Sequence, residues 1–320
     1  MKAAITGMTA ALIGFGIPAI STAQGTYPAR QITMVVPFSA GSQPDILARA
    51  LADGIAKQTS QPLVVVNRDG ASGTIAVASV AQARPDGYTI GFGPQGQFSI
   101  QPHLRKDLTY KLEGFDFLCQ TNGGAFVVVS GPETPYKTLA ELIAAARNAP
   151  GKLSFGSAGH ATGPHLIGES IALEAGIKLN HVPFRNVGDM YAQTINGTID
   201  FVVTTPIVLT LGRGLRALAV VGDGRLPKNP DVPTLAELGY KRSTLPGFTG
   251  IYVPRGVPQD AATWLRKACA QAVDTPVFKA ASEKTVTPLV YADAPVYAAG
   301  VAKDYRDMGE LLNTLGIKAQ

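Results

Sequence analysis

Residues 32–49 read ITMVVPFSAGSQPDILAR, and the way this stretch divides decides the fold. Ile32-Thr33-Met34-Val35-Val36 is a β-branched run, and Pro37 stops it because proline has no amide to give to a ladder. The segment Phe38-Ser39-Ala40-Gly41-Ser42-Gln43-Pro44 is too rich in Gly, Ser and Pro to continue the strand and reads as a loop. From Ile46 onward the apolar positions take helical spacing, with Leu47, Ala50, Leu51, Gly54 and Ile55 on one face. Working outward, Leu63-Val64-Val65-Val66 is a second strand, fully apolar as in parallel sheets covered on both faces. A helix over 74–83 and a strand at Tyr88-Thr89-Ile90 follow. This β-α-β-α-β order predicts right-handed crossovers and a parallel sheet.

A second series repeats the pattern. Strands at 126–129, 153–155, 180–183 and 200–204 alternate with helices over 138–148, 163–175 and 187–196. The tail holds an extended segment at 248–253, a helix at 261–274 and a closing helix at 295–315. The expected organisation is α/β throughout: a leader over 1–23, one domain from 24–121 plus 247–320, and a second from 122–246.

Composition supports a folded chain of short elements and shaped loops. Of 320 residues 46% are hydrophobic and 16% charged, with 35 Gly and 23 Pro. The formal charge is +5, yet the densest basic clusters are the pairs Arg105-Lys106 and Lys241-Arg242. A duplex-binding stripe needs more than pairs, so no nucleic-acid partner is expected. Lys2 precedes an apolar run to Ile20, and Ser21-Thr22-Ala23 offers small residues where a signal peptidase reads. Cleavage before Gln24 and export to the periplasm are expected. Gly7, Gly14, Gly16 and Pro18 argue against a retained membrane helix. Cys119 and Cys269 both sit in apolar contexts, and the sequence leaves two buried thiols and one disulfide equally open.

In open α/β sheets the ligand crevice lies beyond the carboxyl ends of the strands. Two loops there stand out: Ser39-Ala40-Gly41-Ser42-Gln43-Pro44-Asp45, and Gly156-Ser157-Ala158-Gly159-His160-Ala161-Thr162-Gly163-Pro164. Each leads into a helix whose first amides lack intrahelical partners and whose dipole favours an anion. One in each half suggests a carboxylate clamped from both sides. The plainer alternative is that Ser42, Asp45 and Thr162 merely cap their helices. Arg185 and Asn186 follow the 180–184 strand toward the cleft mouth, where an Arg can grip a carboxylate, and Thr205 can lend a hydroxyl. Phe38, Phe92 and Phe184 adjoin these loops, with core packing the default for each and a sandwich around a flat ligand the alternative.

Other chemistries fit poorly. Gly91-Phe92-Gly93-Pro94-Gln95-Gly96 has the letters of a dinucleotide fingerprint, but Pro94 removes an amide and 97–104 shows no clean helical face. A ligand-facing loop with Gln95 and Gln97 as amide contacts fits better. Ser157 lies near His160 and His165 without a nucleophile-elbow pattern or an evident acid. His160 and His165 are five apart, off a shared helix face for a metal. His181 reads as packed or capping. No catalytic residue, metal or cofactor is expected.

At this level of detail the sequence resembles the Bug, or TctC-like, substrate-binding proteins of tripartite tricarboxylate transporters. The likeness runs from Tyr27-Pro28-x-Arg30 and ITMVVPFSAGSQPDILAR through QPLVVVNRDGASGTIA and ARPDGYTIGFG. It continues in KLSFGSAGHATGPHLIGE, LNHVPFRNVGDMYAQTINGTIDF and GFTGIYVPRGVPQDAATWLRKA. The resemblance implies a periplasmic-binding-protein (Venus flytrap) fold with two α/β domains, a central cleft and two hinge-crossing strands. It implies a ligand carboxylate held by Phe38, Ser39, Ala40, Gly41, Ser42, Gln43 and Asp45 on one side. On the other side it implies Ser157, Ala158, Gly159, His160, Ala161 and Thr162. Gly93, Pro94, Gln95, Arg185 and Thr205 follow, with the 67–73 segment beside them. The implied partners are a small carboxylate and the membrane components of the transporter, and the chain is expected to act as a monomer. Two departures bear on the ligand. Where the family commonly has Pro-Gly-Gly, this chain has Ser39 to Gln43, and where it often has Lys-Gly, this chain has Arg185-Asn186. Both suit a second polar or anionic end, as in aromatic dicarboxylates such as terephthalate. A ligand sensor for a signalling system and, more remotely, a hydrolase are the alternatives on the same scaffold.

Overall fold

A computed structural model describes residues 27–59, 61–222, 224–240 and 247–317. The leader expected over 1–23 and the Lys241-Arg242 pair lie outside the described residues. The opening stretch folds as β1 (Ile32–Val36) and α1 (Gln43–Ala56), followed by β2 (Leu63–Asn67), α2 (Thr74–Ala81) and β3 (Thr89–Pro94). Two short helices, α3 (Gly96–Ser99) and α4 (Gln101–Leu104), precede the long strand β4 (Phe115–Gly124). Next come β5 (Phe126–Ser130), α5 (Leu139–Asn148), β6 (Ser154–Ser157), α6 (Gly163–Ala175) and β7 (Asn180–Pro183). After these come α7 (Val187–Ile195), β8 (Phe201–Thr204) and β9 (Arg216–Val221). The chain ends in β10 (Gly247–Pro254), α8 (Gln259–Val273), α9 (Pro276–Lys284), β11 (Leu289–Asp293) and α10 (Ala294–Leu315).

The strands form two sheets, one in each lobe. The first runs β11-β4-β10-β3-β1-β2 and the second β7-β6-β8-β5-β9. Parallel pairing holds for β1 with β2 and β3, and for β6 with β7 and β8. The remaining pairs are antiparallel, because the chain passes between the lobes along β4 in one direction and returns along β10 in the other. The passage is tightest where Gly124 pairs with Gly247. A Cβ on Gly124 would lie 2.7 Å from the Gly247 Cα, so a side chain there would drive the crossing strands apart.

Each lobe buries two apolar clusters, and α10 packs into one of them in each lobe. Its first half packs Tyr297 and Val301 with Phe98 and Tyr252, while Met308 and Leu312 pack with Leu166 and Phe201 of the other lobe. At 1.5 Å per residue a helix of this length spans about 33 Å, enough to reach both.

Four sequence expectations need correction or completion. β2 is the outer strand of its sheet and only partly covered, with Val64 39% exposed, so its apolar run does not mark a strand covered on both faces. Residues 97–104 do form helix, in two turns broken at Ile100, and Pro102 is accepted because it sits in the first turn of α4. Sequence patterning does not reveal β4, β9, β11 and α9. β4 carries Asp116, Gln120 and Asn122 among its apolar residues, and β11 leaves Leu289, Val290 and Tyr291 exposed at the sheet edge. Finally, Cys119 of β4 and Cys269 of α8 form a disulfide, with Cα atoms 6.7 Å apart, that ties the helix to the first sheet.

Candidate functional site

The loop between β1 and α1 is fixed by one buried carboxylate. Between β1 and α1 the chain turns at Gly41 with φ +80. Asp45, 2% exposed, accepts from the Gly41 amide at 2.9 Å and from Arg49 Nε at 3.1 Å through Oδ2. Its Oδ1 accepts from Asn67 Nδ2 at 2.8 Å, and Asn67 also donates to the Phe38 carbonyl at 2.9 Å. Burial alone would raise the Asp45 pKa, but the bonds from Arg49, Gly41 and Asn67 outweigh it and hold the carboxyl below its usual range. Asp45 therefore braces the loop from behind. Ser42 occupies the N-cap position of α1 without a side-chain cap bond, and its hydroxyl is buried without a partner.

The second loop uses different chemistry to the same end. Ser157 Oγ and Thr162 Oγ1 both donate to the Gly159 carbonyl, at 3.0 and 2.8 Å. Thr162 is the N-cap residue of α6 and likewise makes no cap bond. Ala161 has φ +57, a conformation held by Gln101 Nε2 donating to its carbonyl at 2.6 Å and by its own amide donating to His165 Nδ1 at 3.1 Å. The capping alternative is thus answered: neither N-cap side chain engages the helix it precedes. The first amides of α1 and α6 keep their capacity for an anion.

Both loops line a single cavity of about 310 Å³ between the lobes. The expected residues Phe38, Ser39, Ala40, Gly41, Ser42 and Gln43 line it from the first loop, and Pro94 and Gln95 line it from the end of β3. Ala158, Ala161, Thr162 and Thr205 line it from the second lobe. Six expected contacts do not reach the lining. Asp45 lies behind its loop, and Gly93 is packed so closely on Pro37 that an added Cβ would sit 2.8 Å from the ring. Ser157 is fully buried, Gly159 and His160 face the Ser72 side of the cleft edge, and Arg185 is exposed outside. The edge is closed by Ser72 Oγ donating to the His160 carbonyl at 2.6 Å, so Ser72 and Gln101 both bridge the lobes.

Sequence reading missed much of the apolar wall. Phe126, Tyr191 and Phe248 line the cavity beside Phe38, whereas Phe92 is wholly buried in the core and Phe184 packs near Gly156. Tyr191 Oη is 3.0 Å from Thr204 Oγ1. Asp304 and Met308 of α10 also contribute. Tyr191 and Phe248 lie within stretches that carry the family resemblance, but nothing local in them marks which side chains face the cleft.

Ser157 Oγ stands 2.7 Å from His181 Nε2. The serine has one proton for the Gly159 carbonyl at 3.0 Å and this ring nitrogen, and the His181 tautomer decides which of the two receives it. The His181 ring packs at a tilt against His165, with centroids 4.0 Å apart, and His165 likewise against His160 at 4.7 Å. Burial foremost, then the neighbouring His165 and His160, push the His181 pKa down to about 3. Among the described residues no group of His, Cys, Asp or Glu is arranged to hold a metal.

A family model described as TctC, tripartite tricarboxylate transporter family receptor, matches residues 47–317. The chain belongs to that family. This TctC-family chain is 32% identical over 271 residues to a UPF0065 protein of Bordetella pertussis, covering 84% of each. It superposes on the periplasmic binding protein BugD with a TM-score of 0.86 at 27% identity, over 92% of this chain and 100% of that one. R. palustris Rpa4515 with adipate matches at TM-score 0.86 and 25% identity, over the same shares. The family resemblance read from the motifs and the two-lobed α/β fold with a central cleft are both borne out. Among the described residues no helix is long and apolar enough to cross a membrane.

Proposed function

We propose that this receptor captures a small carboxylate in the periplasm and presents it to the membrane components of a tripartite transporter, acting as a monomer after removal of residues 1–23. The observation that carries the reading is the pair of uncapped helix N-termini, α1 and α6, facing one cavity from opposite lobes. A carboxylate there gains from the free amides of the first turns, Gln43 and Asp45 in α1 and Gly163 and His165 in α6, since Pro44 and Pro164 have none, and from both dipoles, without a cationic side chain. Bound ligand stabilises the closed arrangement that Ser72 and Gln101 already bridge, by its higher affinity for that form. The lobes are taken as 24–121 plus 247–320 and 122–246, moving about the Gly124–Gly247 crossing.

The adipate held by a relative of similar fold supports a carboxylate of that size. The four aromatic residues of the wall suit an aromatic acid, with terephthalate the dicarboxylate suggested by the sequence. A thermal-shift screen of mono-, di- and tricarboxylates, with amino acids and nucleotides as controls, tests the reading. At about 100 times its dissociation constant a ligand adds about 2.7 kcal/mol of stability. Stabilisation confined to carboxylates is expected. Silence from all of them together with a response to a nucleotide would overturn the proposal.

A further inference from the structure

His165 of α6 is 4% exposed and its side chain lies outside the cavity lining, yet it holds the residue on which the second loop turns. Its Nδ1 accepts from the Ala161 amide at 3.1 Å. A backbone amide can only donate, so this nitrogen carries no proton, and the ring's hydrogen sits on Nε2, 3.6 Å from Glu169 Oε1. Ala161 has φ +57, a left-handed conformation that a residue with a Cβ keeps only when its surroundings hold it. Two bonds hold it from opposite sides. The His165 ring accepts from its amide, and Gln101 Nε2 of the first lobe donates to its carbonyl at 2.6 Å. Ala161 lines the cavity together with Ala158 and Thr162. The imidazole thus braces the second ligand loop from behind, as Asp45 braces the first.

Resting on the carboxylate-receptor reading above, we propose that the His165 side chain is a positioning residue for ligand capture: its unprotonated Nδ1 sets Ala161, and a proton there releases the loop and the ligand with it. Protonation turns the acceptor into a second donor aimed at the Ala161 N–H, so the left-handed turn loses one of its two anchors. The Ala161 carbonyl then leaves Gln101, and that bond between the lobes goes with it. The groups around the ring are His181 of β7 and His160 of the loop on its faces, Phe155 of β6, and Glu169 one turn along α6. Burial first, and then the neighbouring imidazoles, push His160 and His181 below the ordinary histidine value, so both flanking rings are uncharged at neutral pH. The bound form holds an unprotonated Nδ1, so affinity is complete at higher pH and falls as pH drops.

The test compares wild type with His165→Asn and His165→Phe. Asn places an oxygen near the position of Nδ1 and takes up no proton, whereas Phe fills the space without an acceptor. One readout needs no ligand: hydrogen exchange at the Ala161 amide, followed by NMR. Phe is expected to speed exchange about tenfold or more and Asn to restore protection, the scale of one buried amide losing its acceptor. The second readout is titration calorimetry with terephthalate and adipate between about pH 8 and pH 5.5, around the ordinary histidine value. Affinity is scored as the ratio of wild type to His165→Asn at each pH, so that the titration of the acid itself cancels. That ratio is expected to fall several-fold toward the acid end, and His165→Phe to bind about tenfold more weakly than His165→Asn throughout. Thermal unfolding checks that the variants fold, and if the Phe variant does not, the ratio and the Ala161 exchange of the Asn variant decide. Exchange unchanged in His165→Phe, or a ratio constant across the pH range, would overturn the proposal. If neither acid binds while Ala161 exchange responds as expected, the carboxylate-receptor reading falls and the hold of His165 on the loop stands.

Discussion

Replacing Asp45 by Asn tests whether the first ligand loop is held from behind by a single carboxylate. The two oxygens of Asp45 accept four contacts: the Gly41 amide, Asn67 Nδ2, Arg49 Nε and Arg49 Nη2. An Asn keeps one acceptor and turns an NH₂ toward either the Gly41 amide or the Asn67 NH₂. Asn67 cannot rotate to relieve this, because its Nδ2 also holds the Phe38 carbonyl and its Oδ1 accepts from Arg49 Nη2 at 3.0 Å. Arg49 is half exposed and can turn to water, so its share of the loss is small. One buried charge-assisted bond lost and one buried donor left unpaired cost about 3 kcal/mol together. For a chain of this size that lowers the melting temperature by roughly 6 °C. Ligand affinity should fall at least about tenfold, because the Ser39–Gln43 segment loses its anchor and must be ordered on binding. Differential scanning calorimetry and ligand titration read the two effects. A shift below about 1 kcal/mol with unchanged affinity would refute the bracing argument. The native carboxyl titrates below its ordinary pKa of 3.8, so its stabilisation is complete above that value and is lost as pH falls through the lowered native pKa.

Three further outcomes are expected. Gly159→Val should weaken ligand binding about tenfold or more with far-UV circular dichroism unchanged, since it puts a β-branched residue at φ +124 and a Cβ 2.7 Å from Ser72 Oγ. Reducing the disulfide, or making Cys119→Ser with Cys269→Ser, should cost about 2–5 kcal/mol on the loop-closure argument for a separation of 150 residues, read as a drop in melting temperature that reductant reproduces in the wild type only. The neutral His181 makes stability fall with acid: it is complete above the unfolded-state value near 6.5 and declines as pH drops toward 3. The slope is at most about 1.4 kcal/mol per unit, less for a partly exposed ring, and His181→Gln should flatten it in melting curves taken across that window.

Local sequence determined the alternation of strand and helix in this protein. Strand-stopping Pro37, the helical face from Ile46, and the glycine- and hydroxyl-rich loops act through backbone dihedrals and spacing over a few residues, so they are legible without knowing the neighbours. The same logic found both loops that line the cavity. Tertiary structure decided what local rules leave open. Whether Ser42 and Thr162 cap their helices depends on where their hydroxyls point, and only the folded loops direct Thr162 to Gly159. Whether Cys119 and Cys269 pair depends on α8 packing against β4, a contact between segments 150 residues apart. Arg185 stays outside the cavity, and Asp304 and Phe248 enter it, because α10 spans both lobes and β10 returns beside β4. Apolar periodicity cannot distinguish the exposed edge strand β2 from a central one, since strand order is set by which segments meet across the sheet rather than by any one of them.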